Sequence, residues 1–196
     1  MTPHLRPALT VSIATLLLTG VAYPLVTTGL AQILFPKQAN GSPAQDAKGN
    51  IVGSELIGQG FARGEYFHPR PSAAGNGWDG TSSGGSNLGP SSKALRDRVT
   101  ADVAKIKAEN PDSPGPVPAE LVTTSASGLD PHLSPSAALY QVQRVAAARH
   151  APVERIRALL DARTEGRTFG LLGEPRVNVL LLNLDLDREF PVSSAP

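Results

Sequence analysis

LTVSIATLLLTGVAYPLVTTGLAQILF, residues 9–35, is the stretch of sequence that decides the fold class. It lies inside a run of 30 residues, Pro7 to Pro36, in which no side chain is charged. About 20 apolar residues in a helix cross the hydrocarbon core of a bilayer, so this run is long enough with residues to spare. Pro24 predicts a kink that is satisfied locally, and the serine and threonine hydroxyls of the segment can bond back to the helix. We predict a transmembrane anchor over residues 1–36.

A cleaved secretory signal is the alternative interpretation of the same stretch. Arg6 would be its basic start, and Gly29-Leu30-Ala31 its small-residue cleavage site. The apolar run is much longer than the usual signal core of about 7–15 residues, which favours an uncleaved anchor. Arg6 and the partly charged His4 precede the span, and Lys37 and Lys48 follow it. This distribution of basic residues weakly favours an amino terminus inside the cell. We therefore expect the rest of the chain to face the periplasm.

Charge and composition exclude several classes of function for the remaining residues, 37–196. All 17 acidic residues lie at or after Asp46, and Arg6 alone among the 18 basic residues precedes Lys37. The net charge of +1 argues against nucleic-acid binding, which needs a surplus of basic side chains. The absence of cysteine excludes disulfides, thiolate metal sites and a cysteine nucleophile. A length of 196 residues suits one small domain attached to the anchor.

Apolar periodicity and turn residues outline the elements of this domain. They predict three helices, at residues 91–110, 134–150 and 151–163. They predict three strands, at residues 51–57, 120–124 and 176–187. Residues 37–50 are a polar linker or turn, and the Ser/Gly-rich residues 71–92 form a loop that Trp78 and Leu88 pin to the domain. The fold class is α+β: one N-terminal transmembrane helix followed by a small soluble α+β domain.

The same periodicity assigns the inward faces of the elements. The helix at 91–110 carries an apolar stripe at spacings of four, four and three: Leu95, Val99, Val103 and Ile106. The inner faces of the next two helices are Leu139, Val142, Val145 and Ala146, then Val153, Ile156, Leu159 and Leu160. In residues 176–187, leucines alternate with Asn183, Asp185 and Asp187, which predicts a half-solvated strand. The two aspartates could attract cations, although a solvated strand face is the favoured interpretation.

Candidate chemical groups are few and of low specificity. The four histidines are not at metal-ligand spacings, so we predict no metal site. Ser125 and Ser127 lie near Asp130 and His132, but turn chemistry explains this cluster without a reaction, and a serine hydrolase is a remote alternative. The runs at residues 83–87 and 125–129 could each form a backbone anion nest. We expect no catalytic residue.

Several ordered motifs carry a family resemblance over essentially the whole chain. They are the span at residues 7–35, GQGF at 58–61, YFHPRPS at 66–72, SGGSNLGP at 83–90, PAELVTTSASGLDPHLSP at 118–135, QRVA at 143–146 and VNVLLLNLD at 177–185. In these motifs the chain resembles the C subunit of the bacterial Kdp potassium-transporting P-type ATPase.

The resemblance implies an accessory subunit of a high-affinity, ATP-driven potassium importer in the cell inner membrane. Its implied partners are a potassium-binding channel-like subunit, an ATP-hydrolysing P-type subunit and a small single-span subunit, beside the lipid bilayer. The family is described as a catalytic chaperone that raises the ATP affinity of the hydrolysing subunit. That role would give the chain no cofactor of its own beyond ATP shared with that subunit, and would place nucleotide contacts at Ser125, Ser127, Gly128 and Asp130. Loop-motif or partner-contact candidates are Phe67, His68, Arg70, Ser83, Gly84, Gly85 and Asn87.

The implied ATP contact and the expected topology conflict. A loop in the periplasm cannot reach cytosolic ATP, so the flanking charges favour a role in holding the assembly together over direct nucleotide contact. An envelope-anchored binding module for another membrane complex is the alternative function.

Overall fold

The computed structural model describes residues 3–192. The chain divides into two compact units, Met1–Pro43 and Ala44–Pro196, and each is described by itself. The predicted fold class is confirmed: an N-terminal apolar helix is followed by a small α+β domain.

The first unit is almost entirely helical. Helix α1 (Leu5–Leu17), a π-helical turn (Leu18–Ala22) and helix α2 (Tyr23–Leu34) run on without a break, and a short helix α3 (Pro36–Ala39) follows. Within residues 3–192, one helix, Leu5–Leu34, is long and apolar enough to cross a membrane, with a mean hydropathy of 1.9. None of its residues is buried within the chain.

Local bonding adapts this helix to its proline. The π-helical turn ends at Ala22, two residues before Pro24, whose ring removes one backbone donor. Thr27 donates its hydroxyl to the carbonyls of Tyr23 (2.9 Å) and Pro24 (3.1 Å), and Thr19 donates to that of Thr15 (2.8 Å). The prediction that threonine hydroxyls bond back to the helix is therefore confirmed.

Two small sheets follow the helical unit within the described residues. Strands β1 (Pro43–Gln45) and β2 (Ile51–Ser54) make a two-stranded sheet. A three-stranded antiparallel sheet has the order β3-β5-β4, from strands His132–Leu133, Arg176–Asn178 and Thr164–Glu165. Its register pairs Leu133 with Val177 and Thr164 with the same Val177, so that β5 is the central strand.

The described residues of this domain contain five helices: α4 (Lys93–Glu109), α5 (Pro135–Leu139), α6 (Val142–Ala148), α7 (Val153–Ala162) and α8 (Val179–Glu189). Helices α5 and α8 contact the three-stranded sheet, and α7 packs against α5, α6 and α8. The predicted helices at 91–110 and 151–163 are confirmed as α4 and α7, and the one at 134–150 is divided into α5 and α6. As predicted, Ser134 caps α5, with its hydroxyl accepting from the Ala137 N–H. Large side chains with almost no exposure form the core, among them Phe67, Leu133, Ile156, Leu160, Leu182 and Leu186.

The predicted strand at 176–187 is wrong beyond Asn178. The chain turns there into α8, because the Asn178 side chain accepts from the Leu181 N–H at 3.1 Å and so caps a helix. Val179, Leu182, Asn183 and Leu186 recur at helical spacing and are all buried. The alternation of leucine with polar residues was thus a helical pattern in which some polar positions also face inward.

Four further expectations differ from the structure. Residues 119–121 form a short 3₁₀ turn where a strand was expected at 120–124. Leu139, assigned to an inner face, is 39% exposed because α5 ends there. The stripe of α4 is only partly buried, with no residue of the helix fully covered. The strand predicted at residues 51–57 is β2, which is shorter and ends at Ser54.

Candidate functional site

The two Ser/Gly-rich runs lie against each other, although about forty residues separate them in sequence. Gly84 donates its N–H to the Ser127 carbonyl at 2.8 Å, and the Ser83 hydroxyl donates to the same oxygen at 3.0 Å. Ser72 donates its hydroxyl to the Gly128 carbonyl at 2.6 Å. We call this site, residues 83–87 and 125–130 with Arg70, the loop junction. The long Ser/Gly loop is thus attached to the domain by these hydrogen bonds, whereas Trp78 and Leu88, which were expected to pin it, are 36% and 39% exposed.

Glycine is required at the centre of the loop junction. Gly128 has a φ of +68°, and a Cβ there would lie 2.6 Å from both the Ala74 nitrogen and the Gly84 oxygen. A Cβ on Gly85 would lie 3.1 Å from the Ala126 oxygen. The two backbones therefore pack in direct contact, with no room for side chains between them.

Arg70 and Asp130 form the charged part of the loop junction. A guanidinium nitrogen of Arg70 lies 3.1 Å from Asp130 Oδ2, and both side chains are about three-quarters buried. The pKa of Asp130 is lowered, chiefly by the His132 side chain and further by the His132 N–H and Arg70. Asp130 is thus held as a carboxylate that orders the end of the loop.

The polar groups of residues 125–130 largely bind one another. The Ser125 hydroxyl accepts from the Gly128 N–H at 2.9 Å, and the Ser127 hydroxyl accepts from the Leu129 N–H at 3.1 Å. Asp130 Oδ1 accepts from the His132 N–H at 3.0 Å. An anion nest needs several such N–H groups aimed at the ligand, and two of those in residues 125–129, the N–H groups of Gly128 and Leu129, already have acceptors within the loop. This arrangement favours a structural role, and the nucleotide contact stays a prediction.

Among the described residues, Ser125 and Ser127 are not paired with a base. Within residues 3–192, no hydrogen bond joins His132 to Ser125 or Ser127, and the His132 Nδ1 lies 3.6 Å from Asp130 Oδ1. In the same described range, no cluster of three or more histidine, aspartate or glutamate side chains could hold a metal ion.

Phe67 and His68 lie apart from the loop junction, in a segment clamped by buried amides. The Phe67 backbone exchanges two hydrogen bonds with the Asn183 side chain, at 2.9 and 3.0 Å. The His68 backbone exchanges two with Gln141, at 2.8 and 3.0 Å. These amides supply the bonds that a neighbouring strand would otherwise provide, so the extended segment stays in place without belonging to a sheet. Of the remaining candidates, Asn87 is exposed in a left-handed backbone conformation, with a φ of +51°.

His68 also lines a cavity of about 190 Å³ beside α4. Its other lining residues include Phe61, Trp78, Ile106, Glu109 and Leu121. His68 Nδ1 lies 3.7 Å from Glu109, and Nε2 lies 3.1 Å from the Arg63 carbonyl. The pKa of His68 is lowered, first by burial and then by the positive charge of Arg144. The imidazole is therefore mostly neutral at pH 7.

Sequence reasoning missed the two buried arginines that hold the segment before His68. Arg144 donates to the carbonyls of Gly64 and Tyr66, at 2.5 and 2.9 Å, and burial lowers its pKa to about 10. Arg149, whose side chain is 0% exposed, donates to the Glu65 carbonyl at 2.7 Å. The available signal was that Arg144 and Arg149 lie within or directly after α6, a helix whose apolar residues Val142, Val145 and Ala146 are buried.

Asp185 and Asp187 do not form a cation site on a strand face. Asp185 forms ion pairs with Arg163 and Arg188, and its side chain is only 11% exposed. Asp187 pairs with Arg149 at 2.8 Å. Both carboxylates therefore already have cationic partners from this chain, which corrects the expectation of a solvated strand.

Comparison with known proteins identifies the family. A family profile described as "K+-transporting ATPase, c chain" matches residues 5–188. Relatives named "Potassium-transporting ATPase KdpC subunit" include one from Myxococcus xanthus, 64% identical over 93% of this chain and 87% of the relative. Others come from Methylobacterium nodulans, 56% identical over 95% and 98%, and Rhodospirillum rubrum, 54% identical over 96% and 97%. The chain belongs to the KdpC family of potassium-transporting ATPase subunits.

Proposed function

We propose that this chain is a membrane-anchored accessory subunit that holds a potassium-importing ATPase together. Its helix Leu5–Leu34 would sit in the cell inner membrane, and its α+β domain in the periplasm. The partners would be the potassium-binding channel-like subunit, the ATP-hydrolysing P-type subunit and the small single-span subunit. The observation that carries the proposal is the 30-residue helix Leu5–Leu34, which has a mean hydropathy of 1.9 and no residue buried within the chain, in a member of this family.

The loop junction supports a structural contribution. The hydroxyls of Ser83, Ser125 and Ser127 form hydrogen bonds within the junction, and Arg70 pairs with Asp130. We propose that the chain has no hydrolytic chemistry and no cofactor of its own, and that its domain offers a preformed surface to the neighbouring subunits.

Co-purification with the other Kdp subunits tests the assembly role. Membranes are solubilised in detergent from cells that express the pump with the full chain, or with a chain whose residues 5–34 are replaced by a cleavable secretion signal. We expect the three other subunits to co-purify with the full chain only, and ATP-driven potassium uptake to be lost with the released domain. A fully active pump recovered without the anchored chain would overturn the proposal. Capture of an unrelated envelope complex instead would favour the alternative of a binding module for another partner.

Topology decides between the assembly role and the ATP contact implied by the family resemblance. A reporter that works only in the periplasm is fused after Pro196, and a reporter that works only in the cytoplasm is fused at the same place. Since Arg6 precedes the span, we expect the periplasmic reporter to be active. Activity of the cytoplasmic reporter alone would reverse the orientation and put Ser125, Ser127, Gly128 and Asp130 within reach of ATP. In that event Ser127→Ala should raise the ATP KM of the pump.

A further inference from the structure

The β4–β5 hairpin exposes an apolar tip. Its turn reads TFGLLG over residues 168–173 and contains no charge. Phe169 is 90% exposed, Leu171 79% and Leu172 64%. Single exposed apolar side chains are common on protein surfaces, but three together at the tip of one hairpin indicate a binding surface.

The tip is held in one shape. Thr168 and Leu172 exchange two backbone hydrogen bonds, at 2.9 and 3.0 Å, and the turn between them is tight. Phe169 has a φ of +54°, a left-handed conformation that costs free energy for a residue with a side chain. An ordered tip loses little conformational entropy when it binds, which is the property that a docking element needs.

The charges at the base of the hairpin argue for a protein as the occupant. Arg167 pairs with Glu174 at 2.7 Å, and Arg176 pairs with Glu165 at 2.9 Å. The stem is therefore neutral and its bases are already occupied. An element that inserts into an anionic bilayer gains from free lysines and arginines next to its apolar residues, which this stem does not offer. An apolar groove with both charge signs at its rim complements the tip and the two ion pairs.

We propose that the hairpin tip Phe169–Leu172 docks into an apolar groove on another protein subunit of the potassium-transporting ATPase. This inference rests on the proposed function, because it names the surface by which the anchored domain meets a partner. Phe169 and Leu171 are the anchors that fill the groove, and the Arg167–Glu174 pair lies at its rim.

The absence of cysteine in the sequence permits a direct test on the full chain. Leu171→Cys places one thiol at the tip, and Arg157→Cys places one on the exposed side of α7 as a matched control. The rate of reaction with a water-soluble maleimide is measured for the chain reconstituted alone in vesicles and for the assembled complex. We expect Leu171→Cys to react at least about tenfold more slowly in the complex, with no comparable change for Arg157→Cys. Equal rates at the tip in both states would overturn the proposal.

The occupant is identified by cross-linking. Phe169 is replaced by p-benzoylphenylalanine in the complex, and the product is analysed after irradiation. A cross-link to another subunit supports the proposal, whereas a cross-link between two copies of this chain overturns it. Quenching of a bimane label on Leu171→Cys by brominated lipid, with the chain alone in vesicles, would assign the tip to the bilayer and also overturn it.

Substitution separates this inference from the proposed function. Phe169→Ser, Leu171→Ser and Leu172→Ser are combined in one chain; these side chains are exposed, so the fold should be kept, which circular dichroism checks. We expect the yield of co-purified subunits to fall at least about tenfold relative to the unsubstituted chain. If the unsubstituted chain co-purifies and the triple variant does so equally well, the hairpin inference alone is wrong. If the unsubstituted chain does not co-purify, the proposed function itself is wrong.

Discussion

At the scale of single residues, Gly128 has the strongest steric requirement in the loop junction. Gly128→Ala would place a methyl group 2.6 Å from the Ala74 nitrogen and the Gly84 oxygen, in a left-handed backbone conformation. We expect it to lower the free energy of unfolding by about 2–4 kcal/mol, because the left-handed conformation and the contact with backbone atoms both oppose a Cβ. Urea unfolding of the full chain in detergent measures the change.

Gly80→Ala is the matched control for Gly128→Ala. Gly80 lies in the same Ser/Gly-rich region, but a Cβ there meets nothing within 4 Å. We expect a change within about 0.5 kcal/mol of zero. Equal destabilisation by the two substitutions would mean that the loops are not in direct backbone contact.

His68 predicts a pH dependence of stability. Its pKa is below the usual 6.5 because the imidazole is buried next to Arg144; Lys105 adds to the shift, and Glu109 and the Arg63 carbonyl oppose it. As the pH falls, the His68 imidazole therefore takes up its proton at a higher pH in the unfolded chain than in the folded one. The stability that neutral His68 contributes to the folded state is complete above pH 6.5. It is lost as the pH falls from 6.5 through the lowered pKa of His68 in the folded state. We expect His68→Gln to remove this part of the pH dependence, measured by urea unfolding between pH 8 and pH 5.

A variant at the same cavity provides the control for the His68 measurement. Ile106 lines the cavity with His68 but does not titrate. Ile106→Val should lower the free energy of unfolding by about 0.5–1.5 kcal/mol equally at every pH. If the free energy of unfolding of His68→Gln changed with pH as steeply as that of the unsubstituted chain, His68 would not be the cause of the pH dependence.

At the scale of elements, the N-caps of α8 and α4 should differ in how much they stabilise the fold, because α8 lies in the core and α4 at its edge. Asn178 caps α8, donates to the Glu55 carbonyl at 2.7 Å and is buried. Ser92 caps α4 with a longer bond of 3.4 Å, and no residue of that helix is fully buried. We expect Asn178→Ala to cost about 1–2 kcal/mol and Ser92→Ala less than about 1 kcal/mol, measured by chemical unfolding. The reverse order would mean that α4 contributes more to the core than its burial indicates.

The same elements show what the sequence could predict. The starts of α4, α5 and α7 were predicted because proline, serine and apolar spacing are local signals. Residues 179–187 were misassigned because Asn183 and Asp185 are buried against Phe67 and Arg163, partners that are distant in sequence. Period-two alternation is a reliable sign of a strand only when its polar residues face water.

At the scale of the whole molecule, the candidate site was predictable in its residues but not in its arrangement. The family motifs contain Arg70, residues 83–87 and residues 125–130, and the structure brings these together. No local sequence pattern predicts the hydrogen bond from the Gly84 N–H to the Ser127 carbonyl, because a contact between two backbones does not depend on the periodicity of side chains. For the same reason the clamp on Phe67 and His68 was not foreseen, because it joins polar side chains to the backbone of an irregular segment.

The anchor is the feature of the whole molecule on which the proposed function depends, and its depth in the bilayer can be tested with charge. Leu18→Arg combined with Val21→Arg puts two charges near the middle of the helix Leu5–Leu34, at a cost of about 2.5–3.5 kcal/mol each. Leu5→Arg combined with Leu34→Arg adds the same charge at the two ends, where long side chains reach the headgroups at little cost. We expect the central pair to lower the fraction of chain that resists alkaline carbonate extraction at least about tenfold, while the terminal pair leaves it nearly unchanged. Equal retention of both variants would contradict a spanning helix, and equal loss would indicate a segment held only at the membrane surface.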